Sequence, residues 1–364
     1  MIPIAEPLLG EEELKNITEA VESGWVSSKG KFISEFEEKF AKYCGCFHGI
    51  ATSNGTAALH LALKALGIKK NDEVIVPTLT FIATANAVTY CGAKTVFVDP
   101  HPDYWCMDPE KIEEKITENT KAIIPVHLYG HPCDMDPIME IVRDHDLYMV
   151  EDAAEAHGAE YKGKKVGSFG DISCFSFFAN KIITTGEGGM CLTDNDEFAD
   201  RMRILRDHGM NPNRKYWHDV VGFNYRMTNM QAALGVAQLG KIEQIIEIKR
   251  KNADLYDSLL KNMNGITLPP EEKWAKNVCW MYSVLIEDDY GISRDDLMKK
   301  LEREGIDSRL LFYPIHTMPP YRNYDGDFPI AEVLSKKGMS LPSSAKLKKE
   351  EIEMICNYII QHHA

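Results

Sequence analysis

The chain of 364 residues sets 41 Lys and Arg against 55 Asp and Glu, a formal net charge of −14, with 44% hydrophobic residues. So acidic a balance argues against a nucleic-acid-binding protein, because phosphate backbones draw basic surfaces; it leaves room for a nucleotide ligand, which a few local cations can hold. The length exceeds one small core and predicts two domains, 1–245 and 246–364, with enough buried surface to need no staples.

The first residues, Met1-Ile2-Pro3-Ile4-Ala5-Glu6-Pro7, lack a basic region followed by a long apolar run and do not read as a signal peptide. No apolar stretch approaches the roughly 18 residues of a membrane span. Nine cysteines are scattered without zinc or disulfide spacing, so they read as small buried hydrophobes in a reducing compartment. A cytoplasmic protein with no membrane and no nucleic-acid partner is the expectation.

From residue 51 to 194, short apolar runs alternate with helical patterns. Ser53-Asn54-Gly55-Thr56 opens a helix at 56–66. Strands are predicted at 73–77, 95–99, 122–127, 148–152, 172–178 and 190–193, with helices at 82–90, 109–116 and 137–146. This alternation predicts an α/β fold with a mostly parallel sheet covered by helices. Such sheets bind ligands beyond the carboxyl ends of their strands. Asp152 stands at one such end and Lys181 just past another. The stretch 231–260 reads as one long helix, with Ala232, Ala233, Leu234, Val236, Ala237 and Leu239 as its apolar stripe. After a proline loop at 269–273 come a strand 281–286, a helix 294–304, a strand 308–313 and a helix 349–360, a smaller α+β C-terminal domain.

Lys181 carries the most chemistry. It follows the aromatic run Phe175-Ser176-Phe177-Phe178-Ala179-Asn180 and precedes Thr184-Thr185-Gly186-Glu187-Gly188-Gly189. A lysine able to form an imine, with an aspartate able to keep a pyridine nitrogen protonated, is what pyridoxal 5'-phosphate chemistry needs most. Burial would lower the lysine pKa and let the amine shuttle a proton. Asp152 is either the nitrogen's partner or a strand-ending cap, and Glu155 either reaches the ring's phenolic oxygen or is a first-turn helix acid. Ser53 to Thr56 is either a helix cap or a phosphate site, in which Gly55 lets an oxygen approach and Thr56 adds a hydroxyl. Phe81 is core or a stacking face, and the Ser176 hydroxyl needs a partner that a phosphate oxygen could be. Arg226, in Asn224-Tyr225-Arg226-Met227-Thr228-Asn229, suits an anion. Trp25, Trp217, Tyr313 and His316 are candidate substrate contacts.

Taken together, these runs resemble the sugar-nucleotide aminotransferases of the DegT/DnrJ/EryC1 family. The resemblance rests on Gly24-Trp25-Val26-Ser27-Ser28, Ser53 to Thr56, Glu151-Asp152-Ala153-Ala154-Glu155, Ser176 to Gly189 and Gly222 to Asn229, in order along nearly the whole chain. It implies the aspartate aminotransferase-like fold (fold type I) and a homodimer with active sites at the subunit interface. It further implies that Lys181 forms the imine, Asp152 pairs with the pyridinium and Phe81 stacks on the ring. Gly55, Thr56 and Ser176 would hold the phosphate, completed by Asn224 from the partner subunit. A related branch that removes a sugar hydroxyl has histidine at the position of Lys181, so lysine favours transamination. The runs Val88 to Ala93, Val126 to Gly130, Cys133 to Ile138, Arg214 to Trp217 and Met318 to Tyr321 look like the subgroup that aminates C4 of GDP-4-keto-6-deoxymannose with L-glutamate as donor. A UDP- or dTDP-linked keto sugar, a dehydratase and a non-catalytic sensor on the same fold remain alternatives.

Overall fold

The computed structural model describes residues 1–322, 324 and 326–363. Seven strands form the large sheet: β1 His48–Thr52, β2 Glu73–Pro77, β3 Lys94–Val98, β4 Thr120–Ile123, β5 Tyr148–Asp152, β6 Ile172–Ser176 and β7 Gly189–Thr193, in the spatial order β1-β7-β6-β5-β4-β2-β3. The pairs β2–β3, β2–β4, β4–β5 and β5–β6 are parallel, and β7 runs antiparallel to both β6 and β1. Near-continuous apolar runs such as Val74-Ile75-Val76 are fully buried, as strands covered on both faces require. The expected α/β architecture is therefore present. The strand expected at 122–127 is regular only to Ile123; beyond it the Ile124 N–H still donates to Ile75 O at 2.8 Å, Pro125 has no N–H to give, and an isolated bridge joins Val126 to Asp152.

Eleven α-helices occur among the described residues: α1 Glu11–Glu22, α2 Lys31–Cys44, α3 Gly55–Ala65, α4 Ala83–Tyr90, α5 Met135–Asp144, α6 Asp196–Arg206, α7 Asn229–Leu239, α8 Ile242–Leu260, α9 Arg294–Arg303, α10 Pro329–Lys337 and α11 Lys349–Gln361. The helix expected at 109–116 is two single 3₁₀ turns, Pro109–Lys111 and Glu113–Lys115. Ile112 is the buried apolar residue there, too little of a stripe to hold a longer helix. The single helix expected at 231–260 is α7 and α8, divided at Gly240-Lys241. Glycine weakens a helix interior by about 1 kcal/mol, and the flanking side chains anchor the turn: Lys241 Nζ lies 2.6 Å and Gln238 Nε2 2.8 Å from Glu13 Oε1.

The second sheet has the order β8 Ile266–Thr267, β9 Tyr282–Ile286, β11 Gly338–Leu341 and β10 Arg309–Leu310, all antiparallel. Tyr256 and Leu260 of α8, Leu297 and Leu301 of α9 and Ile352 and Ile355 of α11 pack beneath it. The chain start lies beside this unit: the Ile2 N–H donates to Gly305 O at 2.7 Å. Val278, Trp280, Met281, Leu311 and Ile315 join the core of the large sheet instead, so this end of the chain closes over the carboxyl ends of the parallel strands. Eight cysteines are buried and Cys279 is half-buried, all as free thiols.

Candidate active site

A cavity of about 730 Å³ opens beyond the carboxyl ends of the parallel strands. Gly55, Thr56, Phe81, Asp152, Glu155, Ser176 and Lys181, seven of the residues singled out in the sequence, line it together. Its floor starts where β1 ends. Asn54 caps α3, its side chain accepting from the Ala57 N–H at 2.8 Å, so the cap reading of this turn holds. The Gly55 and Thr56 N–H groups belong to the first turn, where a helix has no acceptor of its own. A Cβ built on Gly55 would stand 2.7 Å from Cβ of Ser176. Glycine is thus required for the α3 start to approach the end of β6, and the approach sets free N–H groups beside the Ser176 hydroxyl. That donor set fits a phosphate.

Beyond Ser176 the chain turns at Phe178, whose carbonyl accepts the Lys181 N–H at 2.9 Å. It returns to β7 through Thr184, whose hydroxyl donates to Phe177 O at 2.9 Å, and through Gly186 at φ +82°. The Lys181 side chain is 11% exposed. Burial lowers its pKa, against the pull of Glu155 and Asp152. Its Nζ lies 3.8 Å from Glu155 Oε1 and 3.7 Å from the centre of the Trp280 ring. Asp152 ends β5 and is buried. Thr84 Oγ1 donates to its Oδ2 at 2.8 Å and the Ala154 N–H to its Oδ1 at 3.2 Å. Burial raises its pKa from the ordinary aspartate value, a cost that a cationic ring nitrogen would offset. Glu155 accepts from the Tyr129 N–H at 2.8 Å, and burial pushes its pKa up to about 7 although Lys181 draws it down.

Alternation along β5 gives the neighbouring Glu151 a different task. Fully buried, it accepts from the Gly167, Phe169 and Gly170 N–H groups and the Ser173 hydroxyl at 2.6–2.9 Å, and contacts His127 Nε2 at 3.1 Å. It braces the 167–170 turn behind the strand that carries Asp152.

The other candidates stand outside this cavity of the single chain. Asn224, Trp25, Trp217 and Tyr313 are exposed; Trp217 Nε1 donates to Asp219 Oδ1 at 2.9 Å. Arg226 is paired with Asp207. His316 Nδ1 shares a hydrogen bond with Thr78 Oγ1 at 2.7 Å, and its Nε2 lies 3.3 Å from Glu332. Conversely, Tyr129, Trp280, Arg309 and Phe312 line the cavity without having been singled out. Arg309 has no carboxylate within ion-pair distance among the described residues.

An amine, a buried carboxylate, a flat aromatic face at Phe81 and an anion-binding turn around one cavity are the donor set that pyridoxal phosphate needs, and the Gly55–Ser176 approach supplies the cradle for its phosphate. Known proteins similar to this chain point to the same cofactor. The model of the DegT/DnrJ/EryC1/StrS aminotransferase family matches residues 7–360. GDP-perosamine synthase of Caulobacter vibrioides is 50% identical over 356 residues, covering 97% of this chain and 96% of the relative. GDP-perosamine synthase of Escherichia coli O157:H7 is 47% identical over 364 residues, covering 100% and 99%. Among solved structures, S. venezuelae DesV in complex with a ketimine intermediate superposes with a TM-score of 0.91 at 36% identity, over 96% of this chain and 94% of that one.

Proposed function

This chain belongs to the DegT/DnrJ/EryC1/StrS aminotransferase family, and from that premise we propose that it transfers the amine of L-glutamate to C4 of GDP-4-keto-6-deoxy-D-mannose, giving GDP-perosamine. It is a pyridoxal phosphate-dependent sugar-nucleotide aminotransferase of fold type I. The observation that carries the reaction class is Lys181: a buried amine between a carboxylate and an aromatic face, in the cavity that Asp152 also enters. Support for the substrate comes from full-length relatives bearing the name GDP-perosamine synthase.

When bound, the cofactor supplies an aldehyde that accepts and releases the amine and a ring that takes up the electron pair of the carbon losing its proton. In this reading Asp152, oriented by Thr84, holds the ring nitrogen protonated. Gly55, Thr56 and Ser176 bind the phosphate and fix the ring's position, with Phe81 against its face. Lys181 takes a proton at Nζ from one carbon and delivers it to another, and Glu155 beside it balances the charge. Glutamate and the keto sugar occupy the cavity in turn. The molecule works as a homodimer in the cytoplasm, where the partner subunit's Asn224 completes the phosphate cradle. Trp25, Trp217, Arg226, Tyr313 and His316 remain the candidate contacts to the nucleotide sugar; standing outside this chain's own cavity, they would serve the partner's site. The exposure of Trp25 and Trp217, large apolar side chains left uncovered in the single chain, supports such contacts.

The test is a panel of GDP-, UDP- and dTDP-linked keto sugars incubated with the purified protein and L-glutamate, with product mass as readout. GDP-4-keto-6-deoxymannose should gain an amine in place of its ketone. Reaction with only the UDP or dTDP sugars would end the substrate reading and leave the family membership standing.

A further inference from the structure

Lys181 sits in a closed ring of contacts that the cofactor-holding residues do not account for. Its Nζ rests 3.7 Å from the centre of the Trp280 ring. That indole is held at both ends: its Nε1 donates to Asn180 O at 2.7 Å, one residue before Lys181, and its ring stacks on Tyr129 at 6.1 Å and 14°. The Tyr129 N–H donates to Glu155 Oε2, whose other oxygen faces Lys181. Tyr129 is fixed from a third side, stacking on Phe312 at 5.2 Å and accepting the Phe312 N–H at its hydroxyl at 2.9 Å.

The backbone is bent to make this ring. Tyr129 and Cys279, the residue before Trp280, both lie in the left-handed region, at φ 54° and 51°. That region is unfavourable for residues with a Cβ and is retained where the surroundings impose it, often at functional sites. Between them Gly130 permits the approach of the two loops: a Cβ there would stand 2.9 Å from the Trp280 backbone N. The Val278 N–H then donates to Gly130 O at 3.2 Å and stitches the loops together. Any buried tryptophan needs a partner for its indole N–H, but one that only filled the core would not need a cation over its face.

We propose that Trp280, braced by Tyr129, is a positioning residue for Lys181: a platform that holds the amine over its face and against Glu155 whenever that amine is not joined to the cofactor. The inference rests on the transamination assigned to this site and not on the identity of the sugar. In transamination Lys181 would have to let go of the bound group and take it up again, and a long flexible side chain free in the cavity would have to be collected for that. The platform keeps it within reach. The titratable groups facing the amine are Glu155 and Asp152, with His157 behind it. His157 is kept neutral by burial, so the aromatic face and the two carboxylates are what favour the ammonium.

The test uses the full-length chain as wild type, Trp280→Leu and Trp280→Phe. Cofactor-free protein is treated across pH with a small amine-acylating reagent, and modification of Lys181 and of the buried Lys249 is read by mass spectrometry. Removing the face should lower the pH midpoint of Lys181 acylation by about one unit, the worth of a desolvated cation–π contact. Trp280→Phe should keep most of the wild-type midpoint, and Lys249 should not move. On the loaded enzyme, Trp280→Leu should slow the single-turnover reaction with L-glutamate about tenfold at saturation, with little change in the half-saturating glutamate concentration. An unchanged Lys181 midpoint in Trp280→Leu overturns the proposal, and so does an equal shift at Lys249, which would mean general loosening. Should Trp280→Leu fail to fold, Trp280→Met carries the same expectations. A wild-type enzyme that ignores glutamate would overturn the donor assignment alone, because the acylation profile still decides the platform.

Discussion

Gly55→Ala isolates the phosphate cradle from the rest of the site. Gly55 is the first residue of α3 and is not in the left-handed region, so alanine suits the backbone and gains about 0.5–1 kcal/mol of helix preference. The new methyl, however, would stand 2.7 Å from Ser176 Cβ, 3.2 Å from its Oγ and 3.3 Å from its Cα. Two of these atoms sit on or next to the backbone of β6, so relief requires α3 and the strand end to separate by several tenths of an ångström. Overpacking of this kind costs about 1–3 kcal/mol, leaving a net loss of about 0–2.5 kcal/mol. The separation falls on the gap where N–H groups and the Ser176 hydroxyl would meet the phosphate. Loss of one well-aligned bond to a charged group, about 1.5–3 kcal/mol, predicts pyridoxal phosphate binding weaker by about 10- to 100-fold. The measurement is a fluorescence titration in a Lys181→Ala background, where covalent attachment cannot mask the phosphate contribution, beside thermal melts without cofactor. Undiminished affinity in a variant whose melting point has fallen would show that the phosphate binds elsewhere.

Lys181→Ala should keep the fold and lose at least about 10²–10⁴ in turnover, together with the protein-linked cofactor absorbance. Asp152→Asn should cut activity severely while leaving the cofactor-free protein as stable as wild type or more so at neutral pH, because the buried carboxylate costs stability when ionised; denaturant melts paired with assays will separate the two effects. Glu155 binds its proton more tightly folded, up to about 7, than unfolded. Between pH 4.5 and 7 the native state therefore holds more protons, and this group's contribution to stability falls as pH rises, by about 1–3 kcal/mol. Glu155→Gln should flatten that slope in cofactor-free protein followed by urea unfolding. Glu151→Leu leaves several buried N–H donors and the Nε2 of His127 unpaired and should destabilise by about 3–5 kcal/mol; a midpoint within error of wild type in the same urea experiment would refute its bracing role.

The parts of the site visible in the sequence are those whose partners are near in sequence or fixed by periodicity. Asp152 was legible because an apolar strand ends there, and parallel sheets gather ligands at such ends. Strand alternation also separates Asp152 from Glu151, a distinction the acidic run Glu151-Asp152 does not announce by composition. Lys181 was legible from its aromatic strand and glycine-rich turn. Tyr129, Trp280 and Phe312 were not, because they reach the cavity by tertiary approach, and an aromatic residue read locally is core. The available signals were weak: Tyr129 before Gly130, and Trp280 after Cys279 in a stretch where neither strand nor helix spacing continues. The undivided helix predicted at 231–260 failed for the same reason. Gly240 alone is a tolerable interruption, and the ties of Gln238 and Lys241 to Glu13 that complete the break lie more than two hundred residues away in the chain.

The same division explains why the chemistry and the substrate are legible to different degrees. Transamination needs a lysine and a carboxylate on rigid strand ends of one chain, and those positions follow from the sheet. In the proposed reading nucleotide-sugar selection falls to the loops around 25, 213–229 and 309–316, which neither belong to the parallel sheet nor share its periodicity. Arg226, paired with Asp207, and Arg309, lining the cavity with no ion-pair partner among the described residues, are both arginines in such loops or short strands; composition and spacing alone do not tell them apart. The physical difference is whether the guanidinium charge is already answered within the fold. Arg309 lines the cavity that Lys181 also lines, and no carboxylate among the described residues answers its charge, so an incoming anion, whether a donor carboxylate or a sugar-linked phosphate, would meet it first.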